Sequence, residues 1–457
     1  MSIVVDLFAG GGGASLGIEL ALGRSPDVAI NHDPDAVALH AVNHADTHHV
    51  CGDVWHADPR MVVGGRKVSL LWASPDCTFF SRSRGAAPFR DRRVATARRA
   101  LAHVVVRWAR EVRPAIICLE NVTEFADWCP LTAAGRPDWG RAGRNFRHWV
   151  GCLKSAGYAV DWRELRACDY GAPTTRKRLF VVARRDGRPI VWPMPTHGTS
   201  MWEQPFRTAA ECIDFGLPSR SIFGRSRPLA ANTLARIARG IRRFVLDCPR
   251  PFVIPVSHAG DHRVHSVDEP LRTITASSRS PFALVAPTLI HSGNGEREGQ
   301  SPRVYDIQQP LGTVMAQGQK HALVCAFLAR HYSGHGNDGV PLDRSISTIT
   351  AKDHHGFVTV HSDGDRRADV RELLGVDATV VVDGERFDVA DIHHRMLQPR
   401  ELFRAQGFHD GYSIDALVDG RPLTKTAQIR LCGNSVSPPV AAALIRANVG
   451  RQETIAA

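Results

Sequence analysis

The stretch IVVDLFAGGGGASLGIELAL, residues 3–22, decides the fold. Residues 3–8 form a short apolar run of the kind that is buried as a strand, GGGG at 10–13 interrupts it, and ASLGIELAL continues at helical spacing. A glycine turn that ends a strand and opens a helix is a place where backbone N–H groups can hold a nucleotide-like ligand. These glycines lack the G-x-G-x-x-G spacing of dinucleotide-binding folds, and a plain tight turn explains them nearly as well.

The alternation of strand and helix continues through residues 1–185. DVAINHDPDAVALHAVNHA (27–45) predicts a strand that ends near Asn31 and a helix that begins at about Pro34, because proline suits a first helical turn. VSLLWASP (68–75) and PAIICLENV (114–122) are further apolar runs that end in polar residues, and the segment between them has helical spacing. The sequence therefore predicts an α/β fold with a mostly parallel sheet covered by helices on both faces.

The middle of the chain, from 189 to 390, has many short β-like runs and a weak internal repeat. Its three copies share a turn, then T-[IV]-x-A, then an apolar run: EPLRTITASSRSPFALVAP (269–287), QPLGTVMAQGQKHALVCAF (309–327) and RSISTITAKDHHGFVTV (344–360). This pattern predicts hairpin units in a smaller, strand-rich domain. Helical spacing returns in RMLQPRELFRAQGF (395–408) and around a turn expected at Gly433–Ser435. We expect a domain at 1–188, a second at 189–390, and a segment at 391–457 that returns to the first.

The composition limits the classes of function. Lys and Arg outnumber Asp and Glu by 57 to 46, a net charge of +11 that favours a polyanionic partner, although a basic protein without one is an equal alternative on charge alone. Ten cysteines without a C-x-x-C pair, and 22 histidines without tight ligand spacing, argue against a disulfide framework and against a bound metal. We find neither a signal peptide nor a window of the roughly 18 apolar residues that a membrane span needs, so we expect a cytoplasmic protein.

Polar residues at the predicted strand ends should converge, because ligands bind at the carboxyl ends of parallel strands. These residues are Asp6, Asp33, Asp53, Cys77 and Glu120. The two aspartates at 33 and 53 could accept ribose hydroxyls or simply cap a helix.

Two of these positions carry side chains suited to catalysis. Cys77 lies near Arg82 and Arg84, which would lower the pKa of its thiol, whereas Asp76 opposes that effect; a buried structural thiol is the alternative. Glu120 ends the strand IICLE, where an acid entering a cleft can hold a raised pKa and donate a proton, or else cap the next segment.

Seven motifs, in this order, resemble those of the DNA cytosine-5 methyltransferases. They are DLFAGGGG (6–13), GDV (52–54), SPDCTFFS (74–81), ENV (120–122), DYGAPTTRKRLFVVARR (169–185), RMLQPRELFRAQGF (395–408) and GNSVSPP (433–439). The resemblance covers both ends of the chain and leaves the repeat-bearing middle as the region that recognises the target sequence in that family. It implies a monomer that transfers a methyl group from S-adenosylmethionine to C5 of a flipped-out cytosine in double-stranded DNA.

The resemblance also implies roles for individual residues. Cys77 matches the nucleophile that adds to cytosine C6, Glu120 the carboxyl that protonates N3, and Arg176 and Arg178 the arginines that hold the base. Ser81, Arg82 and Arg84 look like part of the segment that closes on the flipped nucleotide. The positions that match cofactor-binding residues are Phe8, Gly10, Gly12, Gly13, Asp53 and Asn434, with Asp33 as the choice at the end of the second strand.

Three departures from the family pattern leave alternatives open. Pro75-Asp76-Cys77-Thr78 replaces the usual Pro-Pro-Cys-Gln, Thr174 replaces a glutamine before the Arg-x-Arg motif, and Asn31-His32-Asp33 stands where the second strand usually ends in an acid. Asp76 makes a catalytically silent DNA-binding relative one alternative. An RNA enzyme of the related tRNA type is another, which the long middle region disfavours, and nucleotide-level alkylation as in thymidylate synthase is more remote. The bases around the target cytosine do not follow from the sequence.

Overall fold

A computed structural model shows two compact units in the chain. It describes residues 2–80, 89, 91–208, 210–214, 217–229, 365–376, 378–382 and 385–449, and between 230 and 364 the strands given below and single helical positions. The first unit comprises Met1–Ala172, Arg176–Gln204 and Gln406–Ala457. The second comprises Pro173–Thr175 and Pro205–Ala405.

The described residues between 2 and 208 contain ten strands and six α-helices. The strands are β1 (Ile3–Leu7), β2 (Val28–Asn31), β3 (His48–Cys51), β4 (Val68–Ala73), β5 (Ile116–Asn121), β6 (Ala159–Arg166), β7 (Thr174–Thr175), β8 (Lys177–Arg184), β9 (His197–Gly198) and β10 (Gln204–Pro205). The helices are α1 (Gly13–Leu22), α2 (Pro34–Asn43), α3 (Pro59–Val63), α4 (Arg92–Ala100), α5 (His103–Glu111) and α6 (Arg144–Ser155).

Seven of these strands form the sheet of the first unit, in the order β3-β2-β1-β4-β5-β8-β6. Neighbouring strands from β3 to β5 are parallel, whereas β8 runs antiparallel to both β5 and β6. Every residue of β1, β4 and β5 is buried, as expected for a sheet covered on both faces. Successive residues of β1 enter opposite cores, Val5 with α5 and α6 and Val4 with α1, so the predicted α/β fold is confirmed.

The second unit contains a nine-stranded sheet. Its order is β11-β24-β21-β18-β19-β12-β16-β17, with β13 beside β12. The remaining strands of the chain are β11 (Arg220–Ser221), β12 (Phe252–Pro255), β13 (His265–Ser266), β14 (Leu271–Arg272), β15 (Ser278–Arg279), β16 (Phe282–His291), β17 (Val304–Tyr305), β18 (His321–Arg330), β19 (Val340–Pro341), β20 (Lys352–Asp353), β21 (His355–His361), β22 (Thr379–Val382), β23 (Glu385–Asp388), β24 (Asp391–Met396), β25 (Leu417–Val418) and β26 (Arg421–Pro422).

The internal repeat corresponds to three neighbouring strands of this sheet. The apolar runs of its three copies form β16, β18 and β21, and β18 pairs antiparallel with both of the others. The T-[IV]-x-A segments at 273–276, 313–316 and 348–351 lie largely outside the described residues. The strand-rich character predicted for the middle of the chain is therefore confirmed.

Four further helices lie in the described residues from 365 to 449, and two expectations about this part of the chain are wrong. They are α7 (Arg367–Leu374), α8 (Pro399–Gln406), α9 (Lys425–Asn434) and α10 (Pro438–Val449). Residues 395–396, expected to be helical, belong to β24, because that strand completes its hydrogen bonds by pairing with β21. Gly433 and Asn434, expected in a turn, are the last residues of α9. None of the helices in the described part of the chain is long and apolar enough to cross a membrane.

Helix α1 packs closely against α10 in the first unit. A Cβ atom added at Gly17 would collide with the Ala441 side chain and lie 3.0 Å from the carbonyl oxygen of Pro438. Gly151 on α6 offers a contrast, because an added Cβ would meet nothing within 4 Å. The absence of a side chain at Gly17 therefore sets the distance between these helices.

A buried polar chain lies behind the glycine turn. The hydroxyl of Ser15 donates to Asp6 Oδ2 at 2.7 Å and lies 2.8 Å from His40 Nε2, and His40 Nδ1 lies 2.8 Å from His49 Nε2. Burial raises the pKa of Asp6 to about 7, although the Ser15 hydrogen bond lowers it. Asp6 thus faces α1 and α2 and does not join the strand-end residues with which the sequence grouped it.

We predict that Gly17→Ala destabilises the protein by about 1–3 kcal/mol, because the added methyl overpacks the contact with α10. The matched control Gly151→Ala should be neutral or stabilising by about 0.5–1 kcal/mol, as alanine is in an uncrowded helix. Free energies of unfolding from chemical denaturation measure both. Equal effects of the two substitutions would contradict the tight packing.

We predict that Asp6→Asn changes how stability depends on pH. The pKa of the Asp6 carboxyl is raised from 3.8 to about 7 in the folded state, so its contribution to stability is full below pH 4 and is lost as the pH rises toward 7. Relative to the variant, which does not titrate there, the wild type should lose about 4 kcal/mol over this range. Denaturation of both proteins from pH 4 to pH 8 provides the measurement, and parallel curves would disprove the burial of an ionisable group at this position.

Candidate active site

The topology of the sheet brings four of the predicted site residues to one edge. Cys77 follows β4, and Glu120 is the next-to-last residue of the adjacent parallel strand β5. Since β8 runs antiparallel to β5, with Leu179 opposite Asn121, its first residues lie beside the carboxyl end of β5. Arg176 and Arg178 therefore reach the same edge from the opposite direction.

Glu120 lies in a buried cationic environment. Its Oε1 atom is 3.3 Å from Arg178 Nε and 3.8 Å from Arg176 Nη2, and all three side chains are buried. Burial raises the pKa of the Glu120 carboxyl, and the two arginines oppose this shift. Among the described residues, none forms a hydrogen bond with Oε1. The carboxyl therefore holds a proton more readily than an exposed glutamate does, and its Oε1 atom is available to a ligand.

Arg176 links this edge to the end of α9. Its Nη1 donates to the carbonyl oxygen of Gly433 at 3.1 Å. Burial and the charge of Arg178 lower the pKa of the Arg176 guanidinium, which nevertheless remains protonated at neutral pH because the ordinary value for arginine is so high. Two fixed positive charges thus lie beside Glu120.

The Cys77 thiol lies in an environment that disfavours its ionisation. The sequence set a lowering of its pKa by Arg82 and Arg84 against a raising by Asp76. Within the described structure, burial, aided by Asp76 and Glu120, raises the pKa of Cys77 to about 11 against the opposing charges of Arg178 and Arg176. Desolvation penalises the thiolate more than the nearby arginines favour it. Ser81, Arg82 and Arg84 lie outside the described residues. The described neighbours therefore keep the sulfur protonated.

The glycine turn is shaped by the segment that follows residue 406. A Cβ at Gly12 would collide with the Tyr412 hydroxyl, and one at Gly13 would collide with the carbonyl oxygen of Val436. Gly12 also has φ of 81°, a conformation that glycine adopts at little cost. Packing thus requires these two glycines whether or not their backbone contacts a cofactor.

Other parts of the turn are open to a ligand. A Cβ at Gly10 would meet only the Phe8 carbonyl oxygen, at 4.0 Å, and Gly12 at the start of α1 has no side-chain cap. Phe8 is half-buried with φ of 63°, a left-handed conformation that costs a non-glycine residue about 1–2 kcal/mol. Uncapped N–H groups at the start of a helix suit a carboxylate, so this turn fits a small cofactor that carries one.

The remaining residues of the predicted cofactor set fall into two groups. Asp33 caps α2 by accepting a hydrogen bond from Asp35 N at 3.1 Å, in agreement with the capping alternative, and its other oxygen forms an ion pair with Arg430. Asp53 is half-exposed and accepts a hydrogen bond from Trp55 N at 2.9 Å. Asn434 is exposed at the end of α9. The last two remain accessible to a ligand.

Two supporting residues were not assigned roles from the sequence. Asn121 Nδ2 donates to the Pro75 carbonyl oxygen at 2.9 Å and so ties β5 to the turn that carries Cys77. The Tyr412 hydroxyl donates to the Gly11 carbonyl oxygen at 3.0 Å. Asn121 was signalled by its place after Glu120, whereas nothing local marked Tyr412. The described residues contain no group of three His, Cys, Asp or Glu side chains arranged to hold a metal ion.

Comparison with known proteins identifies relatives of the chain. Type II methyltransferase M.AquIA of Picosynechococcus is 29% identical over 209 residues, which is 43% of this chain and 77% of that protein. Type II methyltransferase M.SacI of Streptomyces achromogenes is 31% identical over 219 residues, 42% of this chain and 50% of that protein. The chain spans half or less of several other relatives of this type.

Solved structures agree on the fold. The crystal structure of the Dnmt2 methyltransferase of S. pombe superposes over the whole of both chains with a TM-score of 0.52 and 13% sequence identity. The DNMT2 mutant of Spodoptera frugiperda gives a TM-score of 0.51 at 13% identity and covers 98% of this chain and 99% of that one. The family model described as C-5 cytosine-specific DNA methylase matches residues 3–211 and 304–449. This chain belongs to the C-5 cytosine-specific DNA methylase family.

Proposed function

We propose that the protein methylates C5 of a cytosine in double-stranded DNA, with Cys77 as the nucleophile. The observation that carries this proposal is the meeting of a thiol, a buried carboxyl and two arginines at one edge of the sheet. That set matches the chemical needs of the reaction, because cytosine C5 is a poor nucleophile until a group adds to C6.

Each of the four residues has a distinct task in this proposal. The Cys77 sulfur, once deprotonated, forms a bond to C6, and the electron pair of the C5–C6 double bond becomes available at C5 while N3 gains electron density. Glu120, whose pKa is raised by burial, donates a proton to N3, and Arg178 and Arg176 hold the carbonyl side of the base. After C5 has been methylated, a base removes its proton and the sulfur leaves, which restores the aromatic ring.

S-adenosylmethionine supplies an electrophilic methyl group when it is bound. The open face at Gly10 and the uncapped start of α1 would receive it, with Phe8, Gly12, Gly13, Asp53 and Asn434 around it. The ion pair with Arg430 competes with a ribose hydroxyl for the Asp33 carboxylate, so we assign Asp33 the weaker role. The strained backbone at Phe8 supports this assignment, because such strain is maintained where function requires it.

The DNA partner is part of the same proposal. C6 is inaccessible inside a duplex, so the target base must be flipped out at a cost of a few kcal/mol. We assign target recognition to the region from 189 to 390, and contacts with the flipped nucleotide to Ser81, Arg82 and Arg84. The net charge of +11 supports binding to a polyanion. The family resemblance leads us to propose that the protein acts as a monomer.

One observation favours a second candidate, a DNA-binding protein without catalytic activity. Asp76 and the burial of the sulfur both raise the pKa of Cys77, which disfavours the thiolate that must attack C6. Covalent trapping on DNA separates the two candidates, because a silent protein would bind the duplex and never form the bond.

We predict that Cys77→Ser abolishes covalent trapping on a duplex that contains 5-fluorocytosine, in the presence of S-adenosylmethionine. The fluorine at C5 cannot leave as a proton does, so the wild type should remain attached to the DNA on a denaturing gel. The matched control is Cys152→Ser, which replaces a half-buried thiol on α6 and should still be trapped. Trapping of the Cys77→Ser variant would disprove the assignment.

Two further measurements define the substrate. Bisulfite sequencing of DNA from cells that express the protein identifies the bases around the target cytosine, which the trapping duplex must contain. Methyl transfer to tRNA tests the alternative of an RNA enzyme.

We predict that Glu120→Gln slows methyl transfer by about 10²-fold or more, within the range of general acid catalysis. Glutamine keeps the shape of the side chain and cannot supply the proton. Single-turnover rates on the same duplex provide the measurement. Glu111→Gln, which removes a carboxylate paired with Arg107 on α5, should leave the rate unchanged. A wild-type rate in the Glu120 variant would show that the proton has another source.

A further inference from the structure

The turn that carries Cys77 is fixed from several sides. The Ser74 amide donates to the Leu7 carbonyl oxygen at 3.2 Å, and the Phe80 amide donates to the Cys77 carbonyl oxygen at 3.0 Å. Asn121 holds the carbonyl oxygen of Pro75 from the neighbouring strand. These contacts fix the two ends of the turn, and Asp76 and Cys77 lie between them.

One oxygen atom of Asp76 restrains the part of the turn between these ends. Its Oδ1 accepts hydrogen bonds from Thr78 N at 2.8 Å and from Thr78 Oγ1 at 2.6 Å. The ring of atoms so formed spans the backbone of Cys77. A proline, which usually occupies this position in the family, restricts the turn through its own φ angle, whereas aspartate restricts it through its side chain.

Proline and aspartate differ in charge at this position. A proline is neutral, but the Asp76 carboxylate lies next to the sulfur and opposes the formation of a second negative charge there. The charged groups that act on the Cys77 thiol in the described structure are Arg178, Asp76, Glu120 and Arg176. Both hydrogen bonds that Asp76 Oδ1 accepts from described residues come from neutral donors of Thr78, so these two bonds bring no positive charge to the carboxylate.

We propose that Asp76 is a positioning residue with two opposed effects: its carboxylate fixes the turn that carries Cys77 through Thr78, and its charge restrains ionisation of the sulfur. The proposal rests on the assignment of Cys77 as the nucleophile. It implies that substitutions at position 76 can separate the effect of the side chain on the turn from the effect of its charge on the sulfur. Asp76→Asn keeps an oxygen acceptor for Thr78 and removes the charge, and Asp76→Ala removes both.

The first experiment measures the reactivity of the thiol without any methyl transfer. The rate of Cys77 alkylation by iodoacetamide is followed against pH, with the modified peptide quantified by mass spectrometry. At pH 8, Asp76→Asn should react roughly three- to tenfold faster than the wild type, because one neighbouring negative charge is gone. Asp58→Asn is the matched control, since Asp58 Oδ1 also accepts a hydrogen bond two residues on, from Arg60 N at 2.9 Å, but its charge does not act on Cys77. Equal rates for the Asp76→Asn variant and the wild type would overturn the effect of charge.

The second experiment measures single-turnover methylation against pH. The pH profile of Asp76→Asn should move to lower pH and reach the same plateau rate at high pH. The plateau rate of Asp76→Ala should be about tenfold or more below that of the wild type, because the sulfur is no longer held in place. Thr78→Val, which removes one of the two hydrogen bonds, should lower the plateau rate without moving the profile along the pH axis. This variant replaces Asp76→Ala as the test of the turn if the alanine variant does not fold. Equal plateaus for all variants would overturn the effect on the turn. A shift in alkylation without a shift in methylation would instead show that Cys77 is not the nucleophile.

Discussion

The contact of the Glu120 carboxyl with Arg178 and Arg176 is the constraint on which the candidate site depends. A carboxylate buried without a partner would cost several kcal/mol, and the arginines make its burial tolerable. They can do so only because β8 runs against its neighbour β5. If β8 were parallel, its first residues would lie at the opposite edge of the sheet, and the carboxyl would face the turn of Cys77 without cations. One reversed strand thus produces the electrostatics of the site.

The central sheet was predictable because local signals agree there with the three-dimensional structure. Apolar runs bounded by glycine and proline correspond to β1, β4 and β5, and α2 begins at Pro34 as expected. The expectation failed at residues 395–396, where the pattern resembles a helix but the backbone pairs with β21, some 40 residues earlier in the chain. Such pairing depends on distant partners, which a local pattern cannot reveal.

The candidate site was predictable in its members and not in its electrostatics. Strand ends converge in a parallel sheet, so Cys77 and Glu120 could be placed together from the sequence. The direction of the pKa shift of Cys77 could not be predicted, because burial outweighs the charges of Arg178 and Arg176 and depends on all the surrounding atoms. Asp33 was assigned to a ligand from its position alone, whereas its ion-pair partner Arg430 lies 397 residues away. Long-range partners of this kind decide whether a strand-end acid is accessible.

The dependence of the glycine turn on residues beyond 406 has a consequence for synthesis. The ribosome makes the turn some 400 residues before Tyr412, Val436 and Ala441, which pack against it and against α1. While the intervening residues are being made, a nascent chain has the glycine turn without the groups that pack against it. Translation that stops within the second unit would release a product that lacks these contacts permanently.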